Sequence, residues 1–234
     1  MSFESVARGG GGGGHGGGGG HSSGGGGFGY SGRRGGYNTW TFWDNMHILL
    51  IFIFIAIVIF VIYYFSVKFI KYKSFKADKL LNESSLEDKI WDKEKLIKVT
   101  ELVFTEFQNA WQNQNLESIS HLITEYFYER NNLILSRQID KNIVNFINIH
   151  SIDTVEIIGI QNSKNDYFDK FSAYVSATIS EHYTYGGVVN EGSKKTGKVE
   201  EILHFVRVKN EWLLDSIQND TSVNGLSLVK NFKE

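Results

Sequence analysis

"FSAYVSATIS", residues 171–180, places an apolar side chain at every second position: Phe171, Ala173, Val175, Ala177 and Ile179 alternate with Ser172, Tyr174, Ser176, Thr178 and Ser180. A period of two is the signature of a β-strand whose faces meet different surroundings, because successive side chains leave opposite sides of the pleat. The same period begins at Asp153 and returns over 199–208 and again from Glu211 to about Gln218. Only Lys209-Asn210 separates the last two runs. Asn tolerates the positive φ of a tight turn, so these runs are predicted to pair as an antiparallel hairpin.

Working back from the strands, the period lengthens. Leu96, Val99, Val103, Phe107, Ala110 and Trp111 recur at steps that place them on one helical face, and Ser84 with Glu87 reads as a capping-box start for that helix. Asn115 is expected to cap a short second helix to Leu122, and Thr124 a third from about Glu125 to Gln138. Helices followed by an antiparallel sheet give an α+β fold, with the helices on one face of a curved sheet. Residues 81–234 hold 16 basic and 23 acidic residues, a balance that argues against a broad nucleic-acid surface. The chain has no Cys, which removes disulfides, cysteine-ligated metal and thiol chemistry.

N-terminal to this domain lies "HILLIFIFIAIVIFVIYYFSVKFIKYK", residues 47–73. From Ile48 to Phe65 no residue is charged and no polar stripe interrupts the run, and 18 residues of helix rise about 27 Å, close to a bilayer's hydrocarbon thickness. A cleaved secretory signal fits poorly, since the run starts far from Met1 and no small-residue site follows it. Residues 47–67 are therefore predicted to form one retained transmembrane helix. Trp40, Trp43, Tyr63 and Tyr64 flank it where rings favour the headgroup layer. Ala56 is the only small residue inside, so no small-xxx-small face is present for helix pairing.

Residues 68–85 read as a basic juxtamembrane linker. Over residues 66–80, Lys68, Lys71, Lys73, Lys76 and Lys79 stand against Asp78 alone, a bias that predicts a cytoplasmic C-terminal domain, an outside N-terminus and attraction to anionic lipid headgroups. Upstream, residues 1–46 are expected to be a disordered Gly-rich tail: 19 of the 25 glycines fall between Gly9 and Gly36, too little side chain to offset backbone entropy. His15 and His21 as a metal tract, or Arg33-Arg34 as a nucleic-acid element, are weaker readings than a plain tether. Residues 86–220 are expected to form the folded α+β domain, and 221–234 a tail.

"FTEFQNAWQNQNLESISHLIT", residues 104–124, resembles the helical signature of the Tim-forty-four-like domain at Phe107, Gln108, Ala110, Trp111, Asn115, Leu116, Leu122 and Thr124. "EEILHFVRVKNEWLLDSIQ" resembles that family's closing hairpin at Glu201, Phe205, Arg207, Trp212, Leu213, Leu214 and Ile217, with His204 where a tryptophan is expected. The segment "SEHYTYGG" also lacks a clear Asp-Tyr pair. The resemblance implies a nuclear-transport-factor-two-like cone with a pocket between helices and sheet. It also implies a binding and anchoring role, as in mitochondrial members that tether an import-motor chaperone or join the ribosome near the inner membrane. Trp111, Phe127, Tyr174, His204 and Trp212 are the pocket-lining candidates, because large aromatics dominate such cavities; the plainer alternative is that they fill the core.

The expected function is that of a single-span scaffold, in protein transport for instance, recruiting an unidentified protein or lipid partner, with no cofactor, metal or nucleic acid. Two alternatives differ in kind. A component of a conjugation or secretion apparatus would place the cone outside the cell. An enzyme would draw on His204 or Asp153, but the spacing links neither to an orienting partner.

Overall fold

A computed structural model describes residues 39–234, with side chains from Met46 onward. The Gly-rich segment with His15, His21, Arg33 and Arg34 lies outside the described residues, as do the side chains of Trp40 and Trp43. Helix α1 spans Thr39–Glu87, and the chain divides into two units with the boundary between Phe65 and Ser66. In the first unit every large apolar side chain from Ile48 to Phe65 is exposed, Phe52, Phe54 and Phe60 by about two thirds. Among the described residues this is the one helix long and apolar enough to cross a membrane. Tyr63 and Tyr64, at the end of the apolar run, are among these exposed side chains.

The second unit is α+β. Three α-helical pieces precede the sheet, the turns of α1 beyond Ser66, then α2 (Lys93–Gln112) and α3 (Glu125–Asp140), with 3-10 turns at Lys89–Trp91 and Leu116–Leu122 between them. Asp92 caps α2 by accepting from Lys95 N at 3.0 Å, and Thr124 caps α3 by accepting from Phe127 N at 3.2 Å. The sheet contains β1 (Ile143–Asn162), β2 (Lys170–Tyr185), β3 (Val188–Val189), β4 (Lys195–Val208) and β5 (Glu211–Gln218). A short helix α4 (Val223–Ser227) leads to β6 (Asn231–Lys233). The strand order is β5-β4-β2-β1-β6, with β3 on the end of β2; all pairings are antiparallel except β1–β6. Three register shifts in β1 and one in β5 curl it, since each extra residue bends its strand.

One face of the sheet carries the main core. Phe104, Phe107 and Trp111 of α2 and Phe127 and Leu135 of α3 pack there against Phe171, Val175, Leu203, Phe205, Trp212 and Leu214. Aromatic contacts are dense around Trp212, whose ring meets those of Trp91 and Phe171, each at 4.9 Å between centroids and both edge-on. The second face is covered too. Ile158, Tyr174, Ile202, Leu226 and Val229 form a smaller cluster that Phe69 and Ile70 of α1 join. The polar half of the alternation is thereby buried, with Ser172 and Ser176 almost fully enclosed.

Four expectations change here. Residues 68–85 are not a linker: they continue α1, and Ser74, Ala77, Leu81 and Ser84 face inward at helical spacing. Ser74 Oγ donates to Glu156 at 2.6 Å, and Asn162 Nδ2 donates to Ser84 Oγ at 2.8 Å. Ser84 and Glu87 thus lie in the last turn of α1, and the true N-cap of α2 is Asp92. Nor are residues 221–234 a free tail. Asn231 bonds Ile160 N and Ile158 O through its carboxamide, Lys73 Nζ donates to Val229 O at 2.5 Å, and Lys233 pairs with Glu87. Gly225 allows this return, because a Cβ there would run into the Asp220 carbonyl. At the β4–β5 hairpin the positive φ falls on Lys209 (57°) and not on Asn210.

Arg207 fastens the unit. It is 6% exposed, and its guanidinium reaches Asp169 (3.1 Å), Asp88 (2.8 Å), Asp166 (3.2 Å) and the Lys209 carbonyl (3.0 Å). Burial alone would favour its neutral form, but the three carboxylates outweigh this and hold it firmly charged. Removing one partner of a buried pair strands the other, here the fully buried Asp169. Arg207→Met is expected to cost about 3–5 kcal/mol, measured by chemical denaturation of the full chain in detergent.

Candidate functional site

The five side chains expected to line one cavity occupy both faces of the sheet. Trp111, Phe127 and Trp212 belong to the helix-side core, whereas Tyr174 and His204 sit on the opposite face. Strand parity decides this: Ser172 pairs with His204 and Tyr174 with Ile202, so these four share a side that Phe171, Ala173, Leu203 and Phe205 do not. All but His204 are at most 7% exposed. Trp111, Phe127, Tyr174 and Trp212 thus belong to the core on two faces of the sheet, and of the five Phe127 also lines a cleft.

His204 is half-buried and its ring atoms are partnered. Nδ1 lies 2.8 Å from Ser172 Oγ, and Nε2 lies 3.4 Å from Gln218 Oε1. The Gln218 oxygen only accepts, so Nε2 carries the proton and Nδ1 accepts from the Ser172 hydroxyl. Burial lowers the His204 pKa, against a smaller raising effect from Gln218 and Asp215. Asp153, the other residue considered for chemistry, accepts from Ser151 Oγ at 2.6 Å and Thr178 Oγ1 at 2.9 Å, bonds that hold its carboxyl below the usual range. It bonds no histidine.

A different group of residues forms an opening in the domain. Between α3 and the edge strand β5 lies a cleft of about 60 Å³, floored by Phe107, Phe127 and Ile217 and rimmed by Tyr126, Arg130, Asn131 and Asp215. Asn131 is buried, and its Nδ2 donates to the Phe127 carbonyl at 2.7 Å. Asp215 accepts from Thr124 Oγ1 at 3.1 Å. Arg130 is exposed and makes no ion pair among the described residues. An apolar floor beside an uncommitted guanidinium suits a side chain of a partner, with Arg130 available to a carboxylate. Of this group only Phe127 was anticipated. The available signal was Tyr126 and Arg130, four apart on the solvent side of α3.

The lysines of α1 also divide. Lys68, Lys71, Lys76 and Lys79 are exposed, but Lys73, expected at the membrane interface, is turned inward to Val229 O. Among the described residues no cluster of three or more His, Asp or Glu is placed to hold a metal ion.

No family model matches the chain, and no curated protein does. Among solved structures it is similar to the intermembrane space region of the chloroplast protein ARC6. The likeness has 8% identity and a TM-score of 0.40, and covers 53% of this chain and 97% of that one.

The state of His204 sets a pH dependence. Its folded-state pKa lies below the ordinary 6.5, so the unfolded chain binds the proton more tightly. The stability tied to neutral His204 is present above that value and is lost as pH falls through it. His204→Gln keeps a donor and an acceptor but cannot titrate. Thermal melts of both proteins across mildly acidic pH should show a steeper loss for the wild type.

Proposed function

We propose that the chain is a single-span membrane-anchored scaffold, held by residues 47–67, whose C-terminal domain recruits a protein partner at the membrane surface. The observation that carries this is the 18-residue apolar run with every large side chain exposed, joined to a domain with an open, partly apolar cleft. The lysine bias after Phe65 supports a cytoplasmic domain and an outside N-terminus. The residues matching the Tim-forty-four-like signature support the same class of role, in protein transport. Recruitment is assigned to the α3–β5 cleft, with Arg130 as the residue that selects an acidic partner segment, and no chemical step is assigned to it.

Orientation is tested in this Cys-free chain with single cysteines at Ser22 and at the exposed Ser120. An impermeant thiol reagent on whole cells should label the first and spare the second; the opposite pattern reverses the topology and favours an apparatus with an extracytoplasmic domain. Recruitment is tested with a photo-crosslinking residue at Tyr126 in native membranes. A discrete adduct that disappears in Arg130→Glu is the expected result, and adducts indifferent to that change would remove the cleft from the proposal.

A further inference from the structure

The geometry points to a lipid-docking face on α1, formed by Lys71, Tyr72, Phe75, Lys76 and Lys79 and continued by Lys68, that seats the domain on an anionic phospholipid surface. This rests on the membrane-anchored proposal and specifies the surface that the domain touches. Three observations support it. First, these residues recur at steps of one, three and four, so they form one face of the helix, and the buried Ser74, Ala77, Leu81 and Ser84 form the opposite one. Second, the face is both basic and aromatic. Phe75 is 73% exposed and Tyr72 49%, and the Lys76 ammonium lies 4.8 Å from the centre of the Tyr72 ring. Third, its charge runs against that of the remainder: four lysines stand here, while residues 81–234 carry an excess of acidic side chains.

A solvated face needs no exposed phenylalanine among its lysines. An interfacial helix does, because rings enter the headgroup boundary while ammonium groups meet phosphates. The first of these lysines lies three residues after Phe65, the last residue of the apolar run, so an anionic leaflet is the nearest complementary surface along the chain. Lys73 takes no part, since its ammonium is held by Val229 O. Docking of this face carries the domain with it, because Ser74 and Ser84 tie the same helix to β1.

The test uses the full chain with one cysteine, at Phe75, carrying a polarity-sensitive nitrobenzoxadiazole dye, in nanodiscs of phosphatidylcholine alone or mixed with phosphatidylglycerol. In the mixed discs the dye emission should shift to the blue and resist an aqueous quencher, and molar salt should reverse both changes. Each lysine near a charged bilayer contributes on the order of fivefold to partition, so Lys71→Gln with Lys76→Gln and Lys79→Gln should weaken docking about a hundredfold, whereas Lys73→Gln should leave the dye signal unchanged. A dye at Ser120 should report the same environment in both discs. Equal quenching at Phe75 in the two lipids would overturn the docking face, and so would a blue shift that grows with protein per disc, which would indicate a second copy as the occupant. Either result leaves anchoring intact; failure of the chain to enter discs at all would instead sink the anchored reading.

Discussion

A buried guanidinium is tolerated only where its charge and its donors are met, and Arg207 meets that condition by drawing together segments far apart in sequence. Asp88 belongs to the junction between α1 and α2, Asp166 and Asp169 to the connection between β1 and β2, and Lys209 to the β4–β5 hairpin. Asp88 uses both oxygens, one for Arg207 and one for Ile90 N at 3.0 Å. Asp169 is held from its other side by Ser163 N at 2.9 Å, yet burial still leaves its carboxyl above the usual range. Trp91, placed by that same junction, then meets Trp212. The main core therefore inherits its geometry from one ion cluster at its end.

Much of this was legible in the sequence. The alternation from Phe171 to Ile179 gave the central strand, the apolar steps from Leu96 to Trp111 gave α2, and Thr124 announced α3. These signals are local, repeated and tied to burial on one side. What failed to show was of another kind. The buried positions of α1 after the apolar run are Ser74, Ala77, Leu81 and Ser84, of which only Leu81 is large and apolar, too little for a hydrophobic period. The return of β6 is three residues long and parallel, too short for any period. The grouping of Tyr174 and His204 with Trp111 ignored strand parity, and parity becomes informative only once both sides of a sheet are known to be covered. The four-residue spacing of Tyr126 and Arg130 marks a helix face but not what it faces, and only the fold sets Arg130 and Asn131 beside Asp215.

The sheet is thus a middle layer. Its helix-side core fixes the cleft between α3 and β5, while α1 is held at both clusters, by Ala77 and Leu81 in the main core and by Phe69 and Ile70 against the smaller one. The two recognition surfaces proposed here, one for a protein segment and one for phosphates, are attached to one rigid body through different sets of contacts. Changes at Lys71, Lys76 or Lys79, which touch no core, need not disturb the cleft.

The contacts that hold α1 to the domain also impose an order in time. Lys73 and Val229 are 156 positions apart, and Glu87 and Lys233 are 146 apart. At translation rates of about 5–20 residues per second, the apolar run and the helix behind it exist for many seconds before the segment that covers Phe69 and Ile70 leaves the ribosome. During that interval Phe69 and Ile70 lack the cover of Leu226 and Val229, and pairings of such separation form late in any case. The nascent chain therefore passes through a stage in which its juxtamembrane helix is sticky at Phe69 and Ile70, and the bilayer is the surface beside it.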